Sequence, residues 1–106
     1  MRLDDLPQVL TIERDSFGAA GWAQSHFENE LEIPFAHTLV ACPKDDRRRV
    51  LAYLVYWLVA GEIHLMNVAV EAAMRRHGLG RRMVRVVLRA ARRHRCEAVF
   101  LEASTR

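Results

Sequence analysis

The sequence predicts an α/β chain of the α+β kind, with elements in the order α, α, β, β, β, α, β, and three observations predict it. First, residues 50–59 form a near-continuous apolar run rich in β-branched and aromatic side chains, the pattern of a strand covered on both faces. Second, Ala60-Gly61 turns that run into a partner strand over 62–70, so the two make an antiparallel hairpin. Third, a long amphipathic stretch opens after Gly78 and Gly80 and leads to a final apolar strand. That is a β-α-β unit, whose outer strands run parallel.

The elements follow in order. Asp4 is placed to cap the first helix and Pro7 sits in its first turn. Leu6, Val9, Leu10 and Phe17 fall near helical spacing, with Glu13, Arg14 and Asp15 assigned to the polar side. Gly18 and Gly21 bracket a breaker. A second helix is expected over 23–32, where Phe27 and Leu31 are an i,i+4 pair, and Pro34 ends it. Residues 37–41 read as a strand and 43–49 as a polar turn. The long helix should reach about His94. Its core stripe is Met83, Val84, Val87, Leu88 and Ala91, at i, i+1, i+4, i+5 and i+8. The last strand covers 98–103. An edge strand at the end of the order would be free to associate with another chain.

At 106 residues the chain is one domain, 1–106. Its 51% hydrophobic and 27% charged residues are ordinary for a soluble globular protein. The longest apolar run is too short to span a bilayer, and the N-terminal residues include Asp4 and Asp5 with no apolar signal segment. A cytoplasmic location is therefore expected, with no membrane partner. Cys42 and Cys96 form no CxxC pair and are expected to be reduced, buried thiols. The five histidines show no metal-ligand spacing, so no metal is expected.

The net charge is +3, but 15 of the 16 basic residues are arginine and they concentrate between Arg75 and Arg95. Arg82, Arg85, Arg89, Arg92 and Arg93 lie opposite the core stripe of the long helix. Such a face can meet nucleic acid, but a solvated face is the simpler reading. No aromatics interleave with these arginines, so single-strand stacking is not expected, and direct nucleic-acid binding is disfavoured.

The strongest local feature is Arg75-Arg76-His77-Gly78-Leu79-Gly80-Arg81, between a strand and the long helix. Glycines let backbone amides approach a ligand closely. The free N–H groups and dipole of a helix start favour a phosphate. Arg81 and Arg82 in the first helical turn oppose that dipole, a conflict that a bound pyrophosphate removes. The competing reading is a glycine turn with solvated arginines. The segment is neither a P-loop nor a dinucleotide GxGxxG motif. Glu102 stands in an otherwise apolar strand. It lies either on a solvated face or in a cleft, where desolvation would suit it to proton abstraction.

Together these residues resemble the GNAT superfamily of acetyl-CoA-dependent N-acetyltransferases. Arg75, Gly78 and Gly80 fit its Q/R-x-x-G-x-G/A motif, and Leu65-Met66-Asn67-Val68-Ala69-Val70 looks like the strand before it. Asp5-Leu6-Pro7, Ile12-Glu13, Trp22 and Phe27 resemble the RimI-like branch, which acetylates the N-terminal amine of a ribosomal protein. The resemblance implies a GNAT fold with a mixed, mostly antiparallel sheet and helices on both faces. It implies acetyl-CoA as acetyl donor, with Val68, Ala69 and Val70 along the pantetheine arm. Arg76, His77, Gly78, Leu79, Gly80 and Arg81 would hold the pyrophosphate. Glu102 matches the branch's proposed general base. The implied acceptor is a protein N-terminus, that of a ribosomal protein in the RimI-like branch; a small-molecule amine acetyltransferase and a non-catalytic acetyl-CoA-binding or interaction module are the alternatives.

The sequence also departs from the family pattern. The first strand, the last helix with its general-acid Tyr and the last two strands have no counterpart in it, so a partial domain is expected. Ala23 stands where a capping Ser is common, at an expected cost of about 1 kcal/mol.

Overall fold

The computed structural model describes residues 1–101. A 3₁₀ turn, Leu3–Asp5, leads into α1 (Leu6–Phe17), and a second, Gly18–Ala20, leads towards α2 (Gln24–Glu32). The strands are β1 (Ala36–Ala41), β2 (Ala52–Val59), β3 (Glu62–Val70) and β4 (Ala98–Leu101). A further 3₁₀ turn, Ala72–Met74, precedes α3 (Leu79–Arg93). The sheet order is β1-β2-β3-β4, with β1/β2 and β2/β3 antiparallel and β3/β4 parallel. Both the hairpin and the β-α-β crossover expected from the sequence are present.

The sheet separates two cores. On one face α3 packs Met83, Val87 and Ala90 against Ala52, Leu54, Tyr56, Ile63, Leu65, Val68 and Val70. On the other, α1 and α2 pack Leu6, Val9, Leu10, Ile12 and Phe27 against Tyr53, Val55 and Ala69. Residues 52–56 of β2 are buried on both faces, so its apolar run lacks the alternation of a half-exposed strand. The β3 sequence alternates differently because of a bulge: Val55 pairs with Asn67 and Tyr56 with Leu65, leaving Met66 as the extra residue. An inserted residue reverses which face each later side chain meets. Ile63 and Leu65 face α3, and after the bulge so do Val68 and Val70, while Ala69 turns to α1.

Several local expectations are corrected. Asp4 lies within the 3₁₀ turn and not at the N-cap of α1, which is Asp5; Asp5 Oδ2 accepts from Arg2 N at 2.8 Å, closing that turn ahead of α1. Glu13 is not on a polar side but 1% exposed. On α3 the seventh-residue position Ala90 is buried and Leu88 is 43% exposed, because the stripe follows i, i+4, i+7 about Met83. Cys42 and Cys96 are free thiols but only half-buried. Burial, ahead of Asp5 and Asp46, raises the Cys42 pKa above its ordinary value. In agreement with the sequence, Ala23 is the N-cap of α2 and makes no side-chain capping bond.

Candidate cofactor site

The glycine motif lies where β3 hands over to α3. Glu71 N donates to Leu51 O at 2.8 Å, so β3 is pinned to the β2 side up to its last residue. On its other side β3 pairs with β4 only from Glu62 to Leu65 within the described residues. Residues 66–70 of β3 therefore present backbone on that side with no described strand beside it.

Beyond β3 the chain makes a tight turn. Arg76 has φ 67° and Gly78 φ 79°, both in the left-handed region. Glycine adopts that region freely, whereas for arginine it is a conformation held by the surroundings. A Cβ on Gly78 would meet nothing within 4 Å, so glycine is required there by backbone angle rather than by crowding. Gly80 differs: a Cβ there would lie 3.6 Å from Val70 Cγ2, an ordinary van der Waals contact, so the start of α3 packs against the end of β3 without demanding glycine.

The first bond of the helix proper runs from Arg82 N to Gly78 O at 3.1 Å. The N–H groups of Leu79, Gly80 and Arg81 precede it, and Gly78 as N-cap offers no side chain to them. No acidic residue occupies the first turn. The result is a helix start with positive dipole and flanking arginines, opening on a cavity of about 460 Å³ lined by Val70, Met74, Arg75, Arg76, Gly78, Gly80 and Arg81. These donors and cations fit a diphosphate, and among the described residues no carboxylate lines the cavity to oppose one.

Of the residues singled out from the sequence, Val70, Arg76, Gly78, Gly80 and Arg81 meet around this cavity. Val68 and Ala69 lead to it along β3, their side chains buried on opposite faces, which leaves only their backbone for a ligand. Leu79 packs on the α3-side core, so its contribution to a ligand is through the backbone, and His77 is exposed and not among the residues that line the cavity. Glu102 lies outside the described residues.

Two side-chain roles were not read from the sequence. Arg75, the first residue of the motif, does not point into solvent. Its Nε donates to Val70 O at 3.2 Å and its Nη2 to Ser16 Oγ at 2.8 Å. It ties the turn to the end of β3 and to α1. The second is Glu13, whose Oε1 accepts from Tyr53 Oη and from Asn67 Nδ2 at 2.9 Å, and whose Oε2 accepts from Trp22 N at 2.8 Å. A signal for Glu13 was present: Leu6, Val9, Leu10 and position 13 share one helical stripe. Among the described residues no group of three or more His, Cys, Asp or Glu side chains could hold a metal ion.

Comparison with known proteins bears on this geometry. The profile of the acetyltransferase (GNAT) family matches residues 6–106. The chain belongs to the GNAT acetyltransferase family. It is 31% identical over 103 residues to a proposed ribosomal protein bS18-alanine N-acetyltransferase of Bacillus subtilis (strain 168), across 96% of this chain and 66% of that protein. The fold is shared with the ribosomal-protein-S18-alanine N-acetyltransferase of Escherichia coli, at a TM-score of 0.80 and 21% identity over 95% of this chain and 62% of that one. It is also shared with an aminoglycoside 6′-N-acetyltransferase complexed with coenzyme A, at a TM-score of 0.71 and 15% identity over 91% and 53%. The chain thus spans about two thirds of the length of the curated relative. As a GNAT chain, its cavity at the start of α3 sits on the segment that carries the Q/R-x-x-G-x-G/A motif.

Proposed function

We propose that this GNAT chain binds acetyl-CoA at the start of α3 and serves acetyl transfer to a primary amine, the acceptor being a protein N-terminal α-amine. The observation that carries the reading is the left-handed turn at Gly78. It bares the N–H groups of Leu79, Gly80 and Arg81 beside a stretch of β3, residues 66–70, that pairs with no strand on that side among the described residues. A diphosphate seated there accepts from those N–H groups and offsets the repulsion between the helix dipole and Arg81 and Arg82. The extended pantetheine arm then follows the backbone of Val68, Ala69 and Val70, as an added strand would.

Acetyl-CoA supplies an activated acyl group. The amine nitrogen forms a bond to the acetyl carbonyl carbon and gives up a proton, the carbon–sulfur bond breaks, and the leaving thiolate takes up a proton in exchange. An ammonium must first lose a proton to attack. Glu102, by its match to the RimI-like pattern, is the proposed base, directly or through water. A positioned base typically contributes about 10²–10⁴-fold, so Glu102→Gln should slow turnover by that order while leaving acetyl-CoA affinity intact. The relationship to bS18-alanine acetyltransferases supports an N-terminal alanine as the acceptor. A cytoplasmic site of action agrees with such an acceptor, and among the described residues no helix is long and apolar enough to cross a membrane.

Calorimetric titration with acetyl-CoA tests the cofactor reading, with Gly78→Glu as the paired variant. Glutamate adds bulk, a negative charge and an unfavourable φ where the diphosphate should sit, so binding should be abolished. A folded wild-type chain with no affinity for acetyl-CoA overturns the proposal. Mass spectrometry of alanine-led peptides against small amines then separates the acceptor classes.

A further inference from the structure

The buried carboxylate of Glu13 takes no part in the chemistry above, yet it is among the most connected polar groups described. We propose that Glu13, with Asn67, is a positioning residue that sets the register of the cofactor edge of β3. This rests on the acetyl-CoA reading of that edge.

The bulge at Met66 gives the argument its force. Without the extra residue, position 67 would share the face of Ile63 and Leu65 and point towards α3. An asparagine there would be buried in an apolar core without partners, which is costly. With the bulge, Asn67 turns to the α1 side, is 3% exposed, and donates to Glu13 Oε1 at 2.9 Å. The same shift sends Val68 and Val70 into the α3-side core. The Glu13–Asn67 bond is thus present only in the register that leaves the backbone of Val68, Ala69 and Val70 as it stands. One slip of the strand would break it and invert every side chain beyond it.

The rest of the carboxylate is satisfied in a way that fixes Glu13 itself. Tyr53 Oη donates to Oε1 from β2, and Trp22 N donates to Oε2 from the loop between the helices. Burial first, and then its bond to Glu13, keep the Tyr53 hydroxyl protonated well above its ordinary range, so it remains a donor. Gly21 is part of the fit, since a Cβ there would lie 3.0 Å from Glu13 Cγ. One turn further along α1, Ser16 holds Arg75, which holds Val70 O. The inner face of α1 therefore grips the stretch 67–70 at both ends, Glu13 at its start and Ser16 through Arg75 at its finish.

The experiment measures acetyl-CoA affinity and Tm together. Glu13→Gln keeps the size but sets an amide N–H₂ against the N–H of Trp22 or the amide of Asn67. It is expected to weaken acetyl-CoA binding by roughly tenfold or more, since small misplacements of a binding edge are expensive. Ile12→Val, a core truncation on the same helix, should lower Tm yet hold the affinity within about twofold. The double swap Glu13→Gln with Asn67→Asp lets amide and carboxylate trade places and should recover most of the affinity. If Glu13→Gln does not fold, Asn67→Ala is read in its place, with the same expected loss. Wild-type affinity in Glu13→Gln overturns the proposal. So does a loss no greater than that of Ile12→Val at equal Tm, and so does a folded swap with no recovery. Absence of binding in the wild type is a different result: it strikes the acetyl-CoA reading itself, before any substitution is made.

Discussion

Tyr53 shows how one buried side chain carries a pH-dependent share of stability. It is fully buried and its hydroxyl is held protonated by burial and by its bond to Glu13, so its pKa lies above the ordinary value of 10.0. The unfolded chain releases that proton above about pH 10, whereas the folded chain keeps it. The native state then binds more protons than the unfolded one, so stability falls as pH rises past 10, by up to about 1.4 kcal/mol per pH unit from this group. Below pH 10 this contribution is fully present. Urea unfolding at pH 9 and at pH 11 should show a smaller decline in Tyr53→Phe than in the wild type, even though the variant starts less stable. A partner such as Glu13 was not identified from the sequence, because a glutamate followed by two further charged residues, Arg14 and Asp15, resembles a surface residue. Its helical phase placed it inside, and three donors drawn from distant segments made burial affordable.

At the scale of elements, the two helix starts contrast. α2 begins at Ala23 with no capping side chain, so its first N–H groups depend on solvent. Ala23→Ser should stabilise the chain by about 1 kcal/mol, read as a rise in the urea midpoint with unchanged m-value. The start of α3 is equally bare but differs in kind: it sits on a cavity, follows a left-handed turn and carries Arg81 and Arg82 against its own dipole. A bare start with cations is a ligand site in waiting; a bare start with an alanine is merely uncapped. The strand boundaries of β3 and the extent of α3 were legible because glycine, turn chemistry and periodicity agree there. The Met66 bulge was not, since nothing in Leu65-Met66-Asn67 marks an extra residue. It accompanies the bond that Asn67 makes to Glu13 on α1.

Across the whole molecule, the sheet divides an apolar face covered by α1 and α2 from one covered by α3. The candidate site lies at the C-terminal end of β3, where the chain leaves the sheet for α3. A ligand there touches both β3 and α3, so its binding should stabilise the fold rather than one helix. With acetyl-CoA at about a hundred times its Kd, linkage predicts about 2.7 kcal/mol of added stability, or roughly 10–20 °C in Tm for a domain of this size. Thermal unfolding with and without acetyl-CoA checks this, and coenzyme A lacking the acetyl group should give most of the shift if the diphosphate supplies most of the contact.

Sequence by itself determined the element order, the antiparallel hairpin, the parallel crossover and the glycine turn before α3. Each of those rests on local rules: backbone freedom at Gly78, turn chemistry at Ala60-Gly61, and the spacing of apolar residues on α3. Tertiary structure alone decided that Arg75 buttresses the turn through Val70 and Ser16, that Glu13 is internal, and that β3 shifts register at Met66. The physical reason is common to all three. A charged or amide side chain has no fixed preference for inside or outside until its hydrogen-bond partners are known, and here those partners lie 54 to 59 residues away for Asn67 with Glu13 and Arg75 with Ser16.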